Sequence, residues 1–95
     1  MSPTSEKRYE PDSLEGKMTV KVLDEETGLR IIEKVRSVRV KDKEYVLLIM
    51  DGFSATIGEV NGDVAILTET DEIRLEQIKG FYRLRNNELT LILHD

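Results

Sequence analysis

The stretch "FYRLRNNELTLIL", residues 81–93, decides the fold. Around Asn86-Asn87 it folds into facing pairs: Arg85 with Glu88, Leu84 with Leu89, and Tyr82 with Leu91. Directly opposed residues of a hairpin share a face, and both asparagines accept the positive φ that a two-residue turn demands. One face is then Tyr82, Leu84, Leu89, Leu91 and Leu93. The other is Arg83, Arg85, Glu88 and Thr90. A hairpin dry on one side needs more sheet to cover that side.

The rest of the chain supplies it. In "MTVKV", Met18, Val20 and Val22 alternate with Thr19 and Lys21, the period-2 signature of a half-buried strand. "DEETG", residues 24–28, reads as a turn. Val38 and Val40 alternate with Arg39 and Lys41, which gives another strand with one wet face. "EYVLLIM", residues 44–50, has no alternation and is β-prone, so it is expected to be a strand covered on both sides or crossing the core. "DVAILTE" and "EIRL" follow as further strands. Between them, Asn61-Gly62-Asp63 reads as a three-residue hairpin loop that sets Val60 opposite Val64 and Gly58 opposite Ile66. No window carries a sustained helical period. Short strands with turns between them predict an all-β domain, a small sandwich or flattened barrel of mostly antiparallel strands.

Residues 1–17 hold both prolines, three serines and mixed charges, with Leu14 the one aliphatic residue beyond Met1. Such a composition buries too little to offset ordering entropy, which predicts a disordered arm before a domain over residues 18–95.

Composition narrows the function. The chain of 95 residues has no cysteine, so disulfides, thiolate zinc sites and cysteine nucleophiles are excluded, and a reducing cytoplasm suits it. A net charge of −5 opposes a nucleic-acid partner. Arg36, Arg39, Lys41 and Lys43 form a short basic stripe, but Asp42 and Glu44 interrupt it and stacking aromatics are scarce. The longest apolar run, residues 45–50, is far too short to span a bilayer as a helix. The single histidine, His94, lies next to the last residue, which leaves Ser37 and Ser54 without a basic partner for a catalytic triad. Acidic clusters at Asp24, Glu25, Glu26 and at Glu69, Asp71, Glu72 lack the spacing of a calcium loop and read as solvated turns. The expectation is a protein with no catalytic residues, no cofactor and no metal, whose business is binding other proteins.

Residues 44–67, "EYVLLIMDGFSATIGEVNGDVAIL", and 72–95, "EIRLEQIKGFYRLRNNELTLILHD", carry a resemblance. Together they resemble the amino-terminal β-domain of the epsilon subunit of F-type ATP synthases. Asp51-Gly52-Phe53-Ser54-Ala55 stands where that family has a Pro-Gly-His-Ala-Pro turn, so the proline and the histidine are lost. Gly62 matches a later glycine turn, and Gly80-Phe81, Asn87 and "LTLILHD" match the closing strands. Residues 18–43 look like the family's opening hairpin and following strand without a distinctive motif. The resemblance implies a non-catalytic rotor subunit of a proton-translocating complex, docked on a gamma subunit and on the c-ring. That would place it at the membrane periphery through its partners. On the same footing Lys43 and Glu44, together with Asp51, Gly52, Phe53, Ser54 and Ala55, are the candidate contact residues. The family's carboxy-terminal helical hairpin has no counterpart in these 95 residues, so an inhibitory arm is not expected. The alternative is a free-standing β-module that binds some other protein.

Overall fold

The computed structural model describes residues 16–94; residues 1–15 of the expected arm lie outside the described residues. Six strands and no helix make up the described chain: β1 (Met18–Asp24), β2 (Gly28–Asp42), β3 (Val46–Met50), β4 (Thr56–Thr68), β5 (Glu72–Arg85) and β6 (Glu88–His94). The sheet order β1-β6-β5-β4-β2-β3, with an added β1–β2 pairing, closes five strands into a barrel and leaves β3 attached outside the ring. All ladders are antiparallel except β1 on β6, where the first and last strands run side by side. The all-β, mostly antiparallel fold is as expected, and of the two forms expected, sandwich or flattened barrel, a closed barrel is observed.

The β5–β6 hairpin has the register that its sequence predicts, with Arg85 on Glu88, Leu84 on Leu89 and Tyr82 on Leu91. Asn86 and Asn87 take φ of 52° and 62°, the left-handed pair of a type I′ turn. The 24–28 turn also forms, with the Glu26 N–H held by the Asp24 carboxylate at 2.8 Å. Met18, Val20 and Val22 point inward from β1, Val38 and Val40 from β2, and Leu89, Leu91 and Leu93 from β6. With Val64, Ile66, Tyr82 and Leu84 they fill one continuous core.

Two expectations are corrected. Asn61-Gly62-Asp63 is not a loop: β4 runs unbroken through it, and Gly62 pairs with Asp42 on one side and Ile78 on the other. Gly62 is glycine for lack of space, since a β-carbon there would collide with the Lys41 carbonyl oxygen. Its neighbours serve the same corner. The Asn61 N–H donates to the Asp42 carboxylate at 2.7 Å, and Asp63 accepts the Gln77 N–H at 2.9 Å. Gln77 is itself bulged, at φ 54°, where the β4–β5 register shifts. A matching irregularity at Lys34, φ 58°, bends β2 where it passes from β1 to β3. Bulges of this kind coil long strands enough to close a small barrel.

The second correction concerns β3. Ile49 is buried and Leu47 half-buried, but Val46, Leu48 and Met50 face outward, so the strand is covered on one side and not on both. Being outside the ring, it has no second layer to hide its outer face.

Candidate protein-docking surfaces

The 51–55 connection leaves β3 and doubles back into β4. Gly52 takes φ 81°, a conformation in which glycine is favoured, and the Phe53 N–H closes the turn on the Met50 carbonyl at 3.0 Å. Asn87 of the β5–β6 turn fixes this loop from the side. Its amide oxygen accepts the Gly52 N–H at 3.0 Å and its amide nitrogen donates to the Asp51 carboxylate at 2.6 Å. The Asn87 backbone carbonyl meanwhile accepts from Thr19, tying the start of β1 to the same pole. Asp51, Gly52, Phe53, Ser54 and Ala55 are all exposed there.

Lys43 and Glu44 lie elsewhere. They form the β2–β3 turn at the opposite end of β3, roughly 20 Å along the strand from Asp51. Asp42 organises that turn by accepting the Glu44 N–H at 3.0 Å, while the Lys43 N–H reaches the Asn61 carbonyl at 3.2 Å. The structure therefore gathers residues 51–55 with Asn86 and Asn87, and separates them from residues 43 and 44.

Tyr45, beside that second turn, was not singled out by sequence. Its hydroxyl donates to the Glu59 carbonyl and lies 3.3 Å from the Tyr82 hydroxyl. Burial, and next the hydrogen bond to Tyr82, push the Tyr45 phenol well above its ordinary range. Gly58 makes room for this pair, since a β-carbon there would run into the Tyr82 ring.

A larger surface also escaped the sequence reading. Across the outside of the barrel, Leu29 pairs with Leu23, Leu23 with Ile92, and Ile92 with Phe81. Paired residues share a face, so these four side chains form one row over four strands. They are 60%, 45%, 45% and 47% exposed, which makes the row an apolar stripe in water and not a half-hidden rim. The His94 ring packs 5.7 Å from Phe81 at one border, and the Lys21–Glu88 ion pair, at 2.6 Å, stands at the other. The readable signal was the apolar doublets Val22-Leu23, Phe81-Tyr82 and Ile92-Leu93. In a strand, one member of each doublet must face away from the core.

The stripe is an exposed apolar surface bordered on one side by the Lys21–Glu88 ion pair. Among the described residues no group of three or more His, Cys, Asp or Glu side chains is placed to hold a metal ion.

No protein-family model matches the chain, and no curated protein matches it. Solved structures do match. One is a chain from the cryo-EM structure of the Tetrahymena thermophila mitochondrial ATP synthase, central stalk and c-ring. It aligns with a TM-score of 0.65 at 15% identity, covering 85% of this chain and 66% of that one, just under two thirds of its length. At that identity the likeness is one of fold alone: this chain is built like part of a chain in that central stalk and c-ring structure.

Proposed function

We propose that this chain is a non-catalytic coupling domain that docks onto other protein subunits of a rotary ATP synthase-like assembly. The observation that carries the reading is the Leu29–Leu23–Ile92–Phe81 stripe. A small acidic barrel that spreads apolar side chains over four outer strands has a surface suited to another protein. The structural likeness to a central stalk or c-ring chain, and the resemblance of residues 44–95 to the epsilon β-domain, favour rotor subunits as that protein. On this reading the stripe packs against a gamma-type subunit. The pole formed by residues 51–55 and Asn87 faces the c-ring, and the protein is held at the membrane periphery by its partners.

The test is affinity isolation of the full chain from its own cells, beside a variant carrying Leu23→Glu and Phe81→Glu. Stalk and ring subunits recovered with the unaltered chain and lost with the variant support the reading. A different partner lost with the same variant assigns the stripe to a free-standing interaction module. Stalk subunits retained by the variant remove the stripe from the interface.

A further inference from the structure

Four segments leave a strand edge unpaired among the described residues: 28–33 of β2, 56–60 of β4, 72–78 of β5, and the outer edge of β3. An unpaired edge is a template for another strand, and proteins ordinarily blunt it with charges, bulges or a covering group. Three of these four are blunted. The β2 segment carries Arg30 and Glu33 and ends at the bulged Lys34. The β5 segment carries Glu72, Arg74 and Glu76, with its bulge at Gln77. On β4 the Tyr45 hydroxyl caps the Glu59 carbonyl. β3, Val-Leu-Leu-Ile-Met, has no charge, proline or bulge, and of its outward groups the Met50 carbonyl is capped, by the Phe53 N–H.

The phase of its ladder follows from the turn. The Asp42 N–H donates to the Tyr45 carbonyl. Antiparallel alternation then gives the bonds to β2 to Leu47, opposite Val40, and to Ile49, opposite Val38. Val46, Leu48 and Met50 aim their backbone groups away from β2. The Met50 carbonyl, which accepts from Phe53 at 3.0 Å, confirms that phase. The side chains of the same three residues are 64%, 51% and 53% exposed, so edge and outer face are bare together.

We propose that β3 pairs with β3 of a second copy of this chain, antiparallel about a two-fold axis through Leu48. This does not rest on the rotor reading, because it uses a different surface. In this register Leu48 faces its own symmetry mate, Val46 faces Met50, and Leu47 faces Ile49. Each copy donates the Leu48 N–H to the Leu48 carbonyl and the Met50 N–H to the Val46 carbonyl. Those outward groups are thereby matched one to one, and the Val46 N–H meets a Met50 carbonyl that keeps a second lone pair. A two-fold interface requires that one patch complement itself, and this one does.

Charge agrees with the same register. β3 itself, Val46–Met50, carries no charge, so the paired edges oppose no like charges. Arg39, beside Leu48 on β2, lies three strand spacings from its mate, about 14 Å and beyond the screening length at physiological salt. A five-residue edge buries well under the ~800 Å² per partner of a stable interface, so the dimer is a weak, concentration-dependent one.

Sedimentation velocity of the full chain, carried into the millimolar range, tests it. Leu48→Pro removes an outward N–H and spares the ladder to β2, while Leu48→Lys puts like charges on the axis. Circular dichroism checks that both variants fold, and each should weaken association by about tenfold or more. The chain has no cysteine, which allows a geometric readout. Leu48→Cys sets the two Cα atoms about 5.5 Å apart, within disulfide reach, and should cross-link on mild oxidation. Val46→Cys leaves them about 14 Å apart and should not. A chain that stays monomeric throughout, a dimer indifferent to both Leu48 variants, or Val46→Cys cross-linking as readily as Leu48→Cys overturns the proposal. So does a monomeric chain whose β3 captures a strand of another protein.

Discussion

At the scale of single residues, Gly62 and Tyr45 show how little of a side chain's work is visible in its name. Asn-Gly is a strong turn signal, yet Gly62 sits mid-strand and is glycine because β2 passes too close for a β-carbon. Gly62→Ala should cost about 1–3 kcal/mol, the range of overpacking, read from the urea midpoint. Gly28→Ala meets open space and pays instead for its φ of 85°, with a loss of about 1 kcal/mol. Tyr45 gives a pH dependence. Its folded phenol holds its proton more tightly than the unfolded one, through burial and the Tyr82 hydrogen bond. That stability is fully present below the ordinary tyrosine pKa of about 10 and drains away as pH rises above it. Tyr45→Phe should lower stability at neutral pH by about 1 kcal/mol, through loss of the bond to Glu59, and flatten the alkaline limb. Urea titrations from neutral pH into the alkaline range check both halves.

At the scale of elements, the β5–β6 hairpin was legible down to its register, because one local signal fixed everything. Asn86-Asn87 set the turn, and alternation set the faces. β4 was not legible at Asn61-Gly62-Asp63, because what keeps it extended comes from Asp42, Lys41 and Gln77, each distant in sequence. β3 misled for a related reason. A continuous apolar run normally means cover on both faces, but whether a second layer exists is decided by the sheet order and not by the run. The candidate loop was visible as a turn at Asp51-Gly52, while its brace, Asn87, lies two strands away and could not be read locally. Asn87→Gly keeps a residue suited to the turn and deletes both side-chain bonds. It should change overall stability by about 1 kcal/mol or less while speeding exchange of the Gly52 amide on the order of tenfold, as seen by hydrogen exchange.

At the scale of the whole molecule, inside and outside separate cleanly, with no buried polar or charged residue among those described. The outer apolar residues are therefore an addition to a complete core and not spillover from it. Leu23→Glu with Phe81→Glu should shift the melting temperature of the isolated domain by no more than about 8 °C, since surface changes cost about 0.5 kcal/mol each. Scanning calorimetry beside the affinity isolation would then separate a lost partner from a lost fold. The parallel pairing of β1 with β6 has a further consequence, for synthesis on the ribosome. Val20 and Val22 find part of their cover beside Leu89 and Leu91, so the first strand emerges long before its neighbour exists. The barrel cannot shut until the final strand has cleared the exit tunnel. Until then the nascent chain displays the edge of β1, a period in which chaperone binding should be strongest and release should coincide with completion of β6.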